Sequence, residues 1–159
     1  MVNGTEKQRY GILIVDDHPL VREGLTQIIK RQSELFCCGE ASSVSSVRLA
    51  IVALKPSLIT LDLRLPDGDG LELIENLTLE HPSIPILVIS QCDEMLYAER
   101  ALKAGARGYV MKERGTDEIL TAIRAILSGQ LFVSPKINAL ALQQMVGSKT
   151  KEPRNGLTN

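Results

Sequence analysis

Gly11–Asp17 reads GILIVDD and Leu58–Asp62 reads LITLD. Each is a short, unbroken apolar run that ends in an acid. A run of this length with no polar alternation fits a strand buried on both faces. Two further runs have the same form: Ile84–Ile89 (IPILVI) ends at Ser90, and Gly108–Met111 (GYVM) ends at Lys112. Leu35–Ala41 is a weaker strand of the same class.

Between these runs the apolar period changes to that of a helix. Pro19 opens a segment in which Val21, Leu25, Ile28 and Ile29 share one face. Ser42 or Ser43 can cap the next helix, which carries Val44, Val47, Ile51 and Leu54 and breaks at Lys55-Pro56. Leu65-Pro66-Asp67-Gly68-Asp69-Gly70 has the composition of a loop. A helix over Leu71–Glu80 follows, with Leu73, Ile74 and Leu77 inward, and His81-Pro82 stops it. Glu94–Ala104 is a fourth helix, closed by Gly105. Thr116 is expected to cap a fifth, striped by Ile119, Ile123, Ile126 and Leu127 and ended by Gly129. Strict strand–helix alternation implies an α/β fold, a doubly wound five-stranded parallel sheet with helices on both faces.

Composition bounds the rest. The 159 residues are 44% hydrophobic and 23% charged, which suits one globular domain with a short appendage. Eighteen basic against nineteen acidic residues leave a net charge of −1, unlike a self-sufficient nucleic-acid binder. No apolar run is long enough to span a bilayer, and the polar start MVNGTEKQRY lacks a signal core. Three cysteines (Cys37, Cys38, Cys92) without metal-type spacing point to a reducing, cytoplasmic setting, where they pack as small hydrophobes. The expected organisation is a frayed N-terminus over 1–9, the α/β domain over 10–129, an extension with a sixth helix over 130–146, and a linker over 147–159. Ser134 can cap that sixth helix, from Pro135 to about Val146.

In an open parallel sheet, ligands bind beyond the carboxyl ends of the strands. Here those ends carry Asp16, Asp17, Asp62, Ser90 and Lys112. Taken singly, each has an ordinary explanation as a turn former, cap or surface charge. Together, three carboxylates on one edge would repel unless a cation shared them. All-oxygen ligation suits Mg²⁺. An ammonium and a hydroxyl beside such an ion form a receptor for a phosphoryl group, and a carboxylate can act as nucleophile toward it. Asp62, on the central strand, is the best-placed nucleophile. Asp16 and Asp17 are better placed as metal ligands.

The pieces ILIVDDHPLVREGL, LITLDLRLPDGDGLEL, IPILVIS and ARGYVMKE, in this order and spacing, resemble the receiver domain of two-component response regulators. The likeness covers roughly Gly11 to Ser128. DDHPLVREGL and YVMKERGTDEILTAIRAILSGQLFVSP further resemble the NarL/FixJ subgroup, whose members usually carry a LuxR-type helix-turn-helix after the receiver. The resemblance implies a flavodoxin-like strand order 2-1-3-4-5. It implies Asp62 as phosphoacceptor, with Mg²⁺ (Mn²⁺ as substitute) held by Asp16, Asp17, Asp62 and the backbone carbonyl of Arg64. It implies Ser90 as switch hydroxyl, Lys112 as phosphate-pairing lysine and Tyr109 as the aromatic that turns inward on activation.

The implied partners are a sensor histidine kinase and a second copy, joined on phosphorylation through about residues 94–127. DNA would be reached only through a helix-turn-helix that this chain lacks, and no membrane contact is implied. The only enzymatic activity implied is self-catalysed phosphotransfer and dephosphorylation. Two positions depart from the common pattern, and two more flank the site. Glu113 follows Lys112 where many receivers have proline, Gln91 follows Ser90 where many have a small residue, and Arg64 and Cys92 occupy positions that tune hydrolysis in the family. A Mg²⁺-dependent phosphohydrolase with an aspartyl nucleophile is the alternative from another class. It usually needs an acid two residues after the nucleophile, and that position here is Arg64. A degenerate interaction domain would not retain all five polar residues.

Overall fold

The computed structural model describes residues 8–156. Five parallel strands form the main sheet: β1 (Tyr10–Val15), β2 (Leu35–Ala41), β3 (Leu58–Leu61), β6 (Ile86–Ser90) and β7 (Gly108–Met111), in the order β2-β1-β3-β6-β7. Counting only these strands, this is the expected 2-1-3-4-5 arrangement. Two short strands, β4 (Arg64–Leu65) and β5 (Gly68–Asp69), make a separate antiparallel hairpin. The helices are α1 (Pro19–Lys30), α2 (Val44–Leu54), α3 (Gly70–Glu80), α4 (Glu94–Ala104), α5 (Thr116–Leu127) and α6 (Pro135–Gly156).

The unbroken apolar runs exist because the sheet has a core on each side. Successive strand residues point to opposite faces. Leu13 and Val15 of β1 join a cluster with Val47 and Ile51 of α2, Leu73, Ile74 and Leu77 of α3, and Ala98 and Ala101 of α4. Ile12 and Ile14 join the other cluster, with Leu25 and Ile29 of α1 and Ile119, Ile123 and Ile126 of α5. All four residues of β3 and all five of β6 are buried.

Several element ends differ from expectation, each for a local reason. The fourth run becomes a strand only from Ile86, because Pro85 has no N–H for the ladder; its carbonyl accepts from Ile59 N at 3.0 Å. Gly115, at φ 93°, is the cap of α5, and Thr116 is its first helical residue. The segment expected as a plain loop holds the β4–β5 hairpin. Its Asp67 carboxylate accepts from Val44 N at 2.7 Å and Ser45 N at 3.1 Å, reinforcing the Ser43 capping box of α2. Those backbone donors hold the Asp67 carboxyl below its usual range.

At the C-terminal end, Ser134 Oγ accepts from Ile137 N at 3.3 Å. The helix it starts does not stop at Val146 but continues to Gly156, through most of the stretch expected as linker. A lone glycine such as Gly147 costs a helix only about 1 kcal/mol and does not end it. At the other end, Arg9, expected in a frayed segment, lies over the Phe36 ring with its guanidinium carbon 5.0 Å from the centroid. The remaining residues of those two expectations, 1–7 and 157–159, lie outside the described residues. Cys92 is buried as expected, whereas Cys37 and Cys38 are only half-buried on edge strand β2; all three are free thiols. Among the described residues, no helix is long and apolar enough to cross a membrane.

Gly105 closes α4 at φ 123°, and a Cβ there would press into the Thr78 side chain of α3. Gly105→Ala combines left-handed strain with a clash. It is expected to cost about 1–3 kcal/mol, read as a lower midpoint in chemical denaturation.

Candidate functional site

Strand register brings the acids together. Val15 of β1 pairs with Leu61 of β3, so the next residues, Asp16 and Asp62, emerge side by side at the same sheet edge. Backbone bonds fix both: Asp16 N donates to Ala41 O at 3.0 Å and Asp62 N to Val15 O at 2.9 Å. Two strands away, β7 ends where Lys112 begins. Its Nζ lies 3.0 Å from Asp16 Oδ2 and 3.0 Å from Asp62 Oδ2.

Asp16 and Asp62 are only 2% and 3% exposed, so their charges need counter-charge. Lys112 supplies one. Burial is the largest single influence on its ammonium and opposes the charge. Hydrogen bonds and attraction from Asp16 and Asp62 together outweigh it, and the net shift is upward. The site lysine is therefore a fixed cation.

The sequence reading passed over His18. Its backbone N–H donates to Asp16 Oδ1 at 2.9 Å, a turn that sets its ring among the acids. Nδ1 lies 2.9 Å from Asp16 Oδ1, 3.1 Å from Asp17 Oδ1 and 3.8 Å from Asp62 Oδ2. The only available signal was local: a histidine two residues after an aspartate at a strand end. Arg22 also reaches the site, donating from Nη1 to Asp16 O at 2.6 Å.

One ligand atom from each of Asp16, Asp17, His18 and Asp62 lies within 4.8 Å of the others. Asp17 Oδ1 is buried and has no hydrogen-bond partner, because its short approach to His18 lacks bonding geometry. An orphaned carboxylate oxygen facing two other carboxylates fits a small, hard divalent cation. Arg64, the first residue of β4, donates its backbone N–H to Asp62 Oδ1 at 3.3 Å.

Ser90 and Tyr109 form the other part of the site. Ser90, the last residue of β6, is fully buried, and its Oγ accepts from Cys92 N at 3.1 Å. Tyr109 on β7 points inward and is 1% exposed; its hydroxyl donates to Cys92 O at 2.6 Å. Burial is the main reason its phenol is pushed well above the ordinary range, so it remains a donor. Both polar groups of Cys92's backbone are thus tied to these two side chains.

Residues 12–124 match the family described as response regulator receiver domain. The chain belongs to this family. The receiver is 37% identical over 126 residues to the response regulator GacA of Pseudomonas protegens, covering 79% of this chain and 59% of that protein. It is 32% identical over 149 residues to the DNA-binding transcriptional activator DevR/DosR of Mycobacterium tuberculosis, covering 93% and 69%. Among solved structures, a LuxR-family two-component response regulator from Aurantimonas superposes with a TM-score of 0.79 at 31% identity, over 87% of this chain and 99% of that one. The receiver domain of the NarL regulator from Mycobacterium tuberculosis gives 0.73 at 28% identity, over 78% and 100%. The subgroup resemblance therefore holds. The chain spans 59% to 69% of the length of the two curated relatives named here.

Receiver domains hold Mg²⁺ in an acidic pocket, and this chain has an aspartate cluster of that kind. A cation held at 100 times its Kd adds about 2.7 kcal/mol to stability. Saturating Mg²⁺ is therefore expected to raise the melting temperature relative to EDTA. Asp17→Asn should lose most of that rise while melting no lower than wild type without metal, since the change removes one of the repelling charges. Thermal melts with and without Mg²⁺ check both.

Proposed function

We propose that this receiver is a phosphoacceptor switch with Asp62 as the nucleophile, served by a sensor histidine kinase. The observation that carries the reading is the Lys112 ammonium, 3.0 Å from both buried carboxylates, beside the orphaned Asp17 oxygen. Asp16, Asp17 and Asp62, with the carbonyl of Arg64, are the groups that would hold Mg²⁺, with Mn²⁺ as a substitute. When bound, the ion supplies positive charge that offsets the phosphoryl oxygens.

A carboxylate oxygen of Asp62 attacks the phosphorus of the donor. The new O–P bond forms as the bond from phosphorus to the leaving atom breaks, and the leaving group departs with the electron pair. Lys112 already bonds to Asp62 Oδ2. It remains beside the product and pairs with charge that develops on the transferred group. Turnover as a phosphohydrolase is not favoured, because the position two residues after Asp62 holds Arg64 and not a carboxylic acid.

The phosphoryl group carries roughly 1.5 to 2 negative charges in place of the single charge of the Asp62 carboxylate. Ser90 is drawn toward it and gives up its bond to Cys92 N. The same residue's carbonyl holds Tyr109, so the aromatic and the start of α4 respond together. Shifting the two states from 1:99 to 99:1 requires about 5.5 kcal/mol of differential interaction. A few charge-assisted bonds in a partly dry pocket supply that much. The moved surface, about residues 94–127, would pair with a second copy. Contact with DNA would fall to a helix-turn-helix of the kind full-length family members carry, in the cytoplasm.

Incubation with acetyl phosphate and Mg²⁺ should add one phosphoryl group by intact mass, and Asp62→Asn should add none. Rapid phosphate release from many esters would instead identify a hydrolase. Sedimentation with and without beryllofluoride checks pairing. The expected result is a shift from monomer to dimer, and an unchanged monomer rejects it.

A further inference from the structure

Glu94 is the first residue of α4 and only 5% exposed, an unusual place for a carboxylate. Its partner is Arg114, whose Nη2 donates to Glu94 Oε1 at 3.3 Å. Glu94 also lines the cleft between α4 and α6, where apolar Leu102, Ile137 and Leu140 stand beside polar Glu99, Lys103 and Gln144. A buried ion pair is weak evidence for stability, because packed apolar side chains often serve as well. Its value is geometric: it fixes where two segments lie.

Those two segments carry Ser90 and Lys112. Strands β6 and β7 are held in register up to the pair Ser90–Met111, where the ladder ends. Beyond it the chain runs four residues from Ser90 to Glu94 and one residue from Met111 to Lys112. Lys112–Arg114 forms a single 3₁₀ turn that ends at Gly115 with φ 93°. This turn has no proline to fix its backbone, and the glycine after it is conformationally free. Past the end of the ladder, the Glu94–Arg114 pair ties these two segments by their side chains, beyond the Tyr109 bond to Cys92 O.

We propose that Glu94 and Arg114 are positioning residues for phosphoryl transfer. They clamp the turn after β7 to the first turn of α4, and the clamp holds Lys112 over Asp62. The clamp rests on the reading of Asp62 as phosphoacceptor. It also ties the Ser90 segment to the Lys112 turn, so that Ser90 closes on the phosphoryl group against a lysine already held there.

The test is the rate of labelling of the whole chain by acetyl phosphate and Mg²⁺, read by intact mass beside the melting temperature. Arg114 is half exposed, so its replacement leaves the fold in place. Arg114→Ala should label about tenfold more slowly, a loss of about 1.4 kcal/mol in transition-state stabilisation. Arg114→Lys, which keeps the charge, should label close to the wild-type rate. The double variant Glu94→Leu with Arg114→Ala removes the unpaired buried carboxylate. It should regain the melting temperature that Arg114→Ala loses, yet label as slowly as that variant. A merely structural pair predicts the opposite, with labelling recovering alongside stability, and that result overturns the clamp. Wild-type labelling by Arg114→Ala, or a lysine variant as slow as alanine, overturns it too. Failure of the wild-type chain to label would bring down the Asp62 reading and the clamp with it. A labelled wild type with an unaffected Arg114→Ala removes the clamp alone.

Discussion

The structure depends on one electrostatic constraint: two nearly buried carboxylates at neighbouring strand ends share one ammonium. Asp16 and Asp62 are adjacent because β1 and β3 pair in register up to Val15 and Leu61. Without counter-charge, one of them would be driven toward its neutral form. Lys112 prevents this from two strands away, at 3.0 Å from each. The tie works only if β6 lies between β3 and β7, which is the observed strand order. Sheet topology and site charge therefore specify each other. Three carboxylates gathered around one ammonium form an acidic pocket of the kind in which receiver domains hold a cation.

The scaffold is rigid where this chemistry needs it. The strands that present Asp16, Asp62 and Ser90 are packed on both faces, so side chains at their ends inherit the precision of a close-packed interior. The segments after those ends are held by a few side-chain contacts. Arg22 fixes the carbonyl of Asp16, Arg64 N–H steadies Asp62, and Asp67 pins the β4–β5 hairpin to α2. A stiff sheet with tethered loops lets a charge change move the loops without disturbing the strands.

This division also decides what could be read from sequence. Buried parallel strands announce themselves as apolar runs, and the residue ending each run is then a candidate ligand. Asp16, Asp62, Ser90 and Lys112 were legible for that reason. His18 was not, because its ring enters the cluster through a turn made by Asp16's own carboxylate. The β4–β5 hairpin was hidden because two-residue strands have no periodicity. Gly115 and Thr116 are both acceptable cap residues, and only the backbone angle chooses between them. Glu94 and Arg114 lie 20 residues apart on different elements, and neither carries a local signal of the other. The extent of α6 past Val146 was missed because the residues after it, GSKTKEPRNG, have the composition of a linker, and composition does not by itself end a helix already begun.

In the proposed switch, the backbone of Cys92 would turn a small motion into a large one. Its N–H serves Ser90 and its carbonyl serves Tyr109, so neither side chain can leave without unsatisfying a buried group. An unpaired buried polar group costs about 1–3 kcal/mol. In that switch, intermediate positions would be worse than either end state, and the local change would be made in one step. Tyr109 and Cys92 belong to the same buried cluster as Ala98 and Ala101 of α4 and Ile137 of α6. Close-packed clusters respond by repacking between discrete arrangements and not by gradual deformation. A rearrangement that begins at one hydroxyl thus cannot stay beneath α4; the seat of Ile137, and with it the start of α6, is part of the same packed unit.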